Sequence, residues 1–229
     1  MRTTTFAPNE HYHLYGRGAE KKIIFHDDYD RARFVFLVLY LQSPTPINNI
    51  GWYTRSFLTK GSFRISKDTL AKILKGRYIQ LTSFILMPNH FHLTVQNMED
   101  GAVSVYMHRV LTAYSKYFNA KYRQTGHLFQ GPFGSVRVKK NEQLLHLSAY
   151  LHKNSNSLAE WKNNYAKYPW SSCSDYLGLN RWGTLLNTAV IDKQFSSKSD
   201  YRHFLETSTA KSLDENLRSK NKDILGELV

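Results

Sequence analysis

His90 and His92 are the residues best placed by spacing to do chemistry. They lie in Met87-Pro88-Asn89-His90-Phe91-His92-Leu93-Thr94-Val95, which follows the apolar run Leu81–Leu86 and reads as a strand. Successive strand side chains point to opposite faces, so the two imidazoles share one face while Phe91 and Leu93 take the other. A backbone-fixed pair of neutral imidazoles can hold a divalent cation if one further ligand is supplied. The same spacing also fits two polar residues on the wet face of a half-buried strand. A second pair of polar groups comes from a helix expected over about Glu142–Asn154. There Tyr150 and Asn154, four residues apart, stack on one face, so a phenol and an amide point the same way.

These residues need elements to position them. His11–Gly18 alternates as a first strand would, and Gly16 and Gly18 end it in a loop. Asp27, Asp28 and Asp30 supply capping carboxylates for a helix from about Tyr29 to Gln42, with Phe34, Leu37, Val38 and Leu41 on its buried side. From Ser43 to Arg77 the chain reads as an insertion, with a short hairpin around Gly61 and a helix near Asp68–Lys75. Ile79–Met87 and His90–Gln96 are two strands joined at Pro88-Asn89, a link short enough to require antiparallel pairing. A long helix over about Val103–Tyr122 presents Val103, Met107, Val110, Leu111, Tyr114, Tyr117 and Phe118 to a core. Val136–Val138 forms a further strand, and Asn141 is the expected cap of the helix carrying Tyr150. Short helices are expected around Tyr201–Glu206 and Leu213–Leu225.

The order strand-helix-strand-strand-helix-strand predicts an α+β fold, a ferredoxin-like antiparallel sheet with helices packed on one face, plus a C-terminal helical extension. The expected division is 1–180 for the main domain, including the insertion at about 43–77, and 181–229 for the extension.

Composition narrows the partner. With 31 Lys and Arg against 18 Asp and Glu, the 229-residue chain carries a formal charge of +13, and 14% of its residues are aromatic. Positive charge favours phosphates and aromatic rings offer stacking surfaces to unpaired bases, so the expected partner is a polyanion, with a nucleic acid and a generically basic surface both open on charge alone. Arg109, Arg137, Lys139, Lys140 and Lys153 are the candidate lining of its path. Cys173 is the one cysteine, which excludes an intramolecular disulfide and a cysteine-rich zinc site. No segment has the apolar length of a membrane span or signal peptide, and a cytoplasmic protein without membrane contact is expected.

Several of these stretches, with others, resemble in order the single-tyrosine HUH transposases. They are Met87–His92, Tyr114–Asn119, Gly126-His127-Leu128-Phe129-Gln130-Gly131, Tyr150-Leu151-His152-Lys153-Asn154 and Pro169-Trp170-Ser171-Ser172, with His11–Gly18 also fitting. The branch they resemble most is the REP-associated tyrosine transposases. The resemblance implies metal-dependent cleavage and rejoining of single-stranded or hairpin DNA through a 5′-phosphotyrosine, with Mg²⁺ or Mn²⁺ as cofactor. By it Tyr150 matches the nucleophile, His90 and His92 the paired metal ligands, and Asn154 the third. Tyr114 and Tyr117 are rival nucleophiles assigned to the core, and His146 is expected to be exposed. Pro132 stands where relatives usually carry Arg, and Ser155 where Pro usually follows the Asn. These departures leave a second reading, a non-catalytic hairpin-binding protein derived from a transposase. The resemblance is compatible with a homodimer or a monomer.

Overall fold

The computed structural model describes residues 5–208. Its elements are β1 His11–Arg17, α1 Asp28–Tyr40, α2 Ile50–Lys60, α3 Lys67–Lys75, β2 Ile79–Met87, β3 His90–Asn97, α4 Ala102–Tyr122, β4 Gly134–Val138, α5 Asn141–Lys153, α6 Cys173–Leu177, α7 Ala189–Asp192 and α8 Lys198–Thr207. The strands form one antiparallel sheet in the order β2-β3-β1-β4, as a ferredoxin-like α+β fold requires. Met87 pairs with His90 across Pro88-Asn89, so the short link makes the tight hairpin that its length demands.

One sheet face is packed by α1 and α4. Phe34 of α1 lies 4.8 Å from Phe91 of β3 and 5.0 Å from Tyr114 of α4, centroid to centroid. Gly16 of β1 is opposite Phe91, whose ring occupies the space a Cβ would fill, at 2.8 Å. The helix α5 covers the other face, so the expectation that helices pack on one face holds for α1 and α4 and not for α5. Behind α5, its residues Leu144 and Ala149 join Cys173, Tyr176, Ile191, Tyr201 and Leu205 in a second apolar cluster. The C-terminal elements are therefore packed against the helix that carries Tyr150.

Local chemistry sets the start of α1. Asp27 caps α1: its Oδ1 accepts from the Asp30 N–H at 2.9 Å, and Asp30 Oδ2 accepts from the Asp27 N–H at 3.4 Å. Asp30 is fully buried and also receives the Tyr117 hydroxyl at 2.6 Å, the Lys121 ammonium at 2.7 Å and the Tyr122 hydroxyl at 2.7 Å. Those partners hold its carboxyl below the usual range, against a burial cost that acts the other way.

Two local expectations change. The hairpin around Gly61 is instead the C-terminal end of α2, where Gly61 at φ +71° donates its N–H to Phe57 O at 2.8 Å. Ile50, Tyr53 and Phe57 carried the helical spacing that a turn reading of the glycine obscured. Asn141 is the first residue of α5 rather than its cap. Gln143 reaches back to accept from the Lys139 and Lys140 N–H groups at 2.9 and 3.2 Å, and the Asn141 amide pairs with that of Gln194. The helix expected at Tyr201–Glu206 is α8, whereas Leu213–Leu225 lies outside the described residues. No helix among the described residues is long and apolar enough to cross a membrane.

Candidate active site

Residues directly opposite in an antiparallel pair point to the same face. The registers His13↔Thr94, Tyr15↔His92 and Arg17↔His90 therefore put His13, Tyr15 and Arg17 of β1 beside His90 and His92 of β3, on the face that α5 covers. Gly134 of β4 sits under Tyr15, and a Cβ there would lie 2.2 Å from the Tyr15 ring, so only glycine admits this ring.

The two candidate ligand histidines have 5.1 Å between ring centroids. His90 Nδ1 is 2.7 Å from Asn89 Oδ1, an acceptor, which places its proton on Nδ1 and leaves the Nε2 lone pair available. His92 is buried, and its Nδ1 is 2.9 Å from His13 Nε2. With His92 as the donor in that bond, its Nε2 lone pair is likewise available. An outer partner on one ring nitrogen is how ligating imidazoles are oriented. Burial, helped by the Arg17 charge, lowers the His90 pKa to about 4. Burial likewise holds His92 well below its ordinary value, with His13, His90 and Arg17 adding to it, and takes His13 to about 4. All three are neutral at pH 7, the form a metal requires.

The helix α5 brings Tyr150 to this cluster. Its ring meets His92 edge-on at 5.8 Å and His13 at 6.4 Å between centroids, and the residue is half-buried. Asn154 keeps helical dihedrals at the end of α5 (φ −59°, ψ −36°), so it stays stacked one turn beyond Tyr150. Its side chain makes no hydrogen bond to either histidine. Among the described residues no group of three or more His, Cys, Asp or Glu side chains could hold a metal ion. A cation on His90 and His92 would therefore take its remaining ligands from an amide such as Asn154, water or phosphate. The donor set fits an ion of the Mg²⁺ or Mn²⁺ class, with imidazole nitrogen favouring Mn²⁺.

The rival tyrosines are committed elsewhere. Tyr114 donates to Ile24 O at 2.5 Å and Tyr117 to Asp30 Oδ1 at 2.6 Å, on the far side of the sheet. Burial raises both hydroxyl pKa values far from neutrality, Asp30 adding to the effect on each.

The basic candidates separate. Arg109 donates to the Leu41 and Ser43 carbonyls and, at 2.7 Å, to the Tyr78 hydroxyl, which ties α4 to the end of α1 away from Tyr150. Arg137 pairs with Glu10 at 2.6 Å and by strand alternation points away from the histidine face. Lys139 and Lys140 are exposed at the entrance to α5. Lys153, at its exit, donates to Ser208 O at 3.2 Å. His146, expected to be exposed, is partly buried against Phe204, with Nδ1 3.1 Å from Ser208 Oγ.

Sequence reasoning did not single out His13 and Arg17. Their signal was the every-second-residue series His13, Tyr15, Arg17, which becomes meaningful once β1 is known to neighbour β3. It also passed over His152. From Phe84 N–H the bonds run to Ser172 Oγ (3.0 Å), His152 Nε2 (2.9 Å), His152 Nδ1 to Tyr201 Oη (2.8 Å), Ser148 Oγ (3.0 Å) and Leu145 O (2.6 Å). Ser172 Oγ also lies 3.2 Å from Phe84 O, and this chain of bonds fixes α5 between β2 and α8 two residues from Tyr150. Burial lowers the His152 pKa to about 3, so the ring is neutral as this chain of bonds needs.

Residues 50–154 match the family described as IS200-like transposase. The stretch runs from α2 through both candidate histidines and Tyr150 to Asn154, and it bears out the resemblance read from the sequence. A solved REP-associated tyrosine transposase bound to a REP hairpin superposes with a TM-score of 0.52 at 11% identity, over 86% of this chain and 94% of that one, a likeness of fold. No curated protein matches the chain.

Proposed function

From the premise that residues 50–154 are an IS200-like transposase match, we propose that this protein cleaves and rejoins single-stranded or hairpin DNA through a covalent bond between Tyr150 and a 5′ phosphate. The observation that carries the proposal is the meeting of Tyr150 and His92, from two elements far apart in sequence, with 5.8 Å between ring centroids. That the fold neighbour holds a REP hairpin, and that the chain carries +13, support hairpin DNA as the partner.

The step is an exchange of phosphodiesters. Tyr150 Oη attacks phosphorus, the bond to the 3′ oxygen breaks, and the phenolic proton ends on that oxygen, giving a 5′-phosphotyrosine and a free 3′-hydroxyl. Because one ester replaces another, the 3′-hydroxyl of an incoming strand can reverse the step without ATP. A phenol with an ordinary pKa near 10 is a weak nucleophile at pH 7, so positioning must supply much of the rate. Here the chain's own residues contribute. His152, Ser172 and Tyr201 fix α5, and through it Tyr150, against the sheet. Arg17, opposite His90 in register, offers a cation to the phosphate face of the site. Its place on β1 provides positive charge even though Pro132 stands where relatives usually carry Arg. His90 and His92, with Asn154, are the residues that would hold the divalent ion. When bound, it would neutralise charge developing on the phosphate oxygens.

The test is direct. Labelled hairpin DNA with single-stranded flanks, incubated with the full-length chain and Mn²⁺, is expected to yield a denaturant-resistant protein–DNA band whose tryptic map places the nucleotide on Tyr150. DNA on another tyrosine, or free cleavage products with no adduct, would overturn the assignment.

A further inference from the structure

A cavity of about 470 Å³ opens beside the candidate active site and has no part in the chemistry above. Its walls include Pro88 from the β2–β3 turn, Trp161, Tyr168 and Trp170 from the segment after α5, and Arg31 and Asp28 from α1. Both edges continue into the candidate site. Pro88 is two residues before His90, a chain span of at most about 7 Å. On the other side Leu158, also in the wall, follows Asn154 by one short 3-10 turn.

We propose that this cavity receives one unpaired base of the DNA, next to the phosphate that Tyr150 attacks; the inference rests on the function proposed above and names a subsite of it. Three observations favour a nucleobase. The wall is aromatic: Trp161 and Tyr168 meet edge-on at 5.3 Å, while the Tyr168 hydroxyl donates to Leu86 O at 2.7 Å and anchors the wall to β2. The charged groups are Arg31 and Asp28 on the α1 side, 3.4 Å apart, and Glu160 on the wall that follows α5. A flat ring with donors and acceptors along one edge satisfies both, stacking on indole while presenting that edge to the charged groups of the wall. The volume lies within the range of small-ligand sites, and a strand threaded past His90 carries a neighbouring base over the Pro88 rim.

The experiment is an abasic scan. Fluorescent hairpin oligonucleotides, each lacking one base of the single-stranded flank, are titrated with the full-length chain in EDTA, and affinity is read by anisotropy. Loss of one particular base is expected to weaken binding about tenfold or more, as stacking on an aromatic wall implies. In Trp161→Ala that position-specific loss disappears while the remaining positions keep their wild-type profile. In Arg31→Gln, which gives up the 3.4 Å contact to Asp28 and the side-chain hydrogen bond to Tyr168, discrimination among the four bases at that position shrinks. Equal weakening of every oligonucleotide by Trp161→Ala, together with unchanged base preference in Arg31→Gln, would overturn the subsite. If the wild-type chain then still forms the Tyr150 adduct, the function stands without it. A wild-type chain that binds no single-stranded DNA would overturn both.

Discussion

The two faces of the sheet contrast sharply. Phe91 and His92 are neighbours on β3, yet Phe91 packs with Phe34 beneath α1 and α4 while His92 meets His13 and Tyr150 beneath α5. On the first face the tyrosine hydroxyls are spent on backbone and carboxylate acceptors, as Tyr114 on Ile24 O and Tyr117 on Asp30. On the second, polar side chains lie under a helix with ring nitrogens still able to take a ligand. A core buries polar atoms by pairing them internally, whereas a site buries them with capacity left over.

The largest expected effect separates the tyrosines. Tyr150→Phe removes one oxygen and should reduce the covalent adduct below detection on denaturing gels while hairpin binding persists. Tyr114→Phe should keep the adduct. Adduct formation by Tyr150→Phe would erase the functional difference between the faces.

Next comes the pair of strand neighbours. His92→Ala should lower cleavage by more than about 100-fold, since loss of even an outer partner of a metal ligand costs about 10- to 100-fold. Phe91→Ala should instead cost about 3–5 kcal/mol of stability, read by urea unfolding, through the cavity it leaves. If the two swapped signatures, the assignment of faces would be wrong.

His13→Ala sharpens the comparison. Loss of the 2.9 Å bond to His92 should reduce activity by about 10- to 100-fold and raise the Mn²⁺ concentration needed for half-maximal cleavage. Cleavage that falls without any change in metal requirement would mean that His13 acts only on packing.

The smallest effect is on stability in acid. His152 is neutral and buried in the folded chain with a pKa of about 3, whereas an unfolded chain takes up the proton near 6.5. The unfolded state therefore binds more protons across that window, and the contribution of His152, full above about 6.5, is lost as pH falls towards 3. The melting temperature should fall in acid, and more shallowly in His152→Ala, which itself should cost about 1–3 kcal/mol at pH 7 by removing one buried partner each from Ser172 and Tyr201. Identical acid slopes for the two proteins would remove His152 from the account.

The local parts were legible along the chain. Period-two alternation put His90 and His92 on one face, four-residue spacing stacked Tyr150 over Asn154, and Pro88-Asn89 required a tight hairpin, because each of these is written within a few residues of chain. The sequence misled where one residue had two local uses, as Gly61 does in a turn or at a helix end. Tertiary structure decided what faces what. That β1 pairs with β3 in the register Tyr15↔His92, that α5 lies on the histidine face and α1 with α4 on the other, and that His152 reaches Ser172 and Tyr201 are relations between distant segments. A one-residue slip of β1 would turn His13 and Arg17 into the core without altering any local pattern, so only the packed sheet could place them in the site.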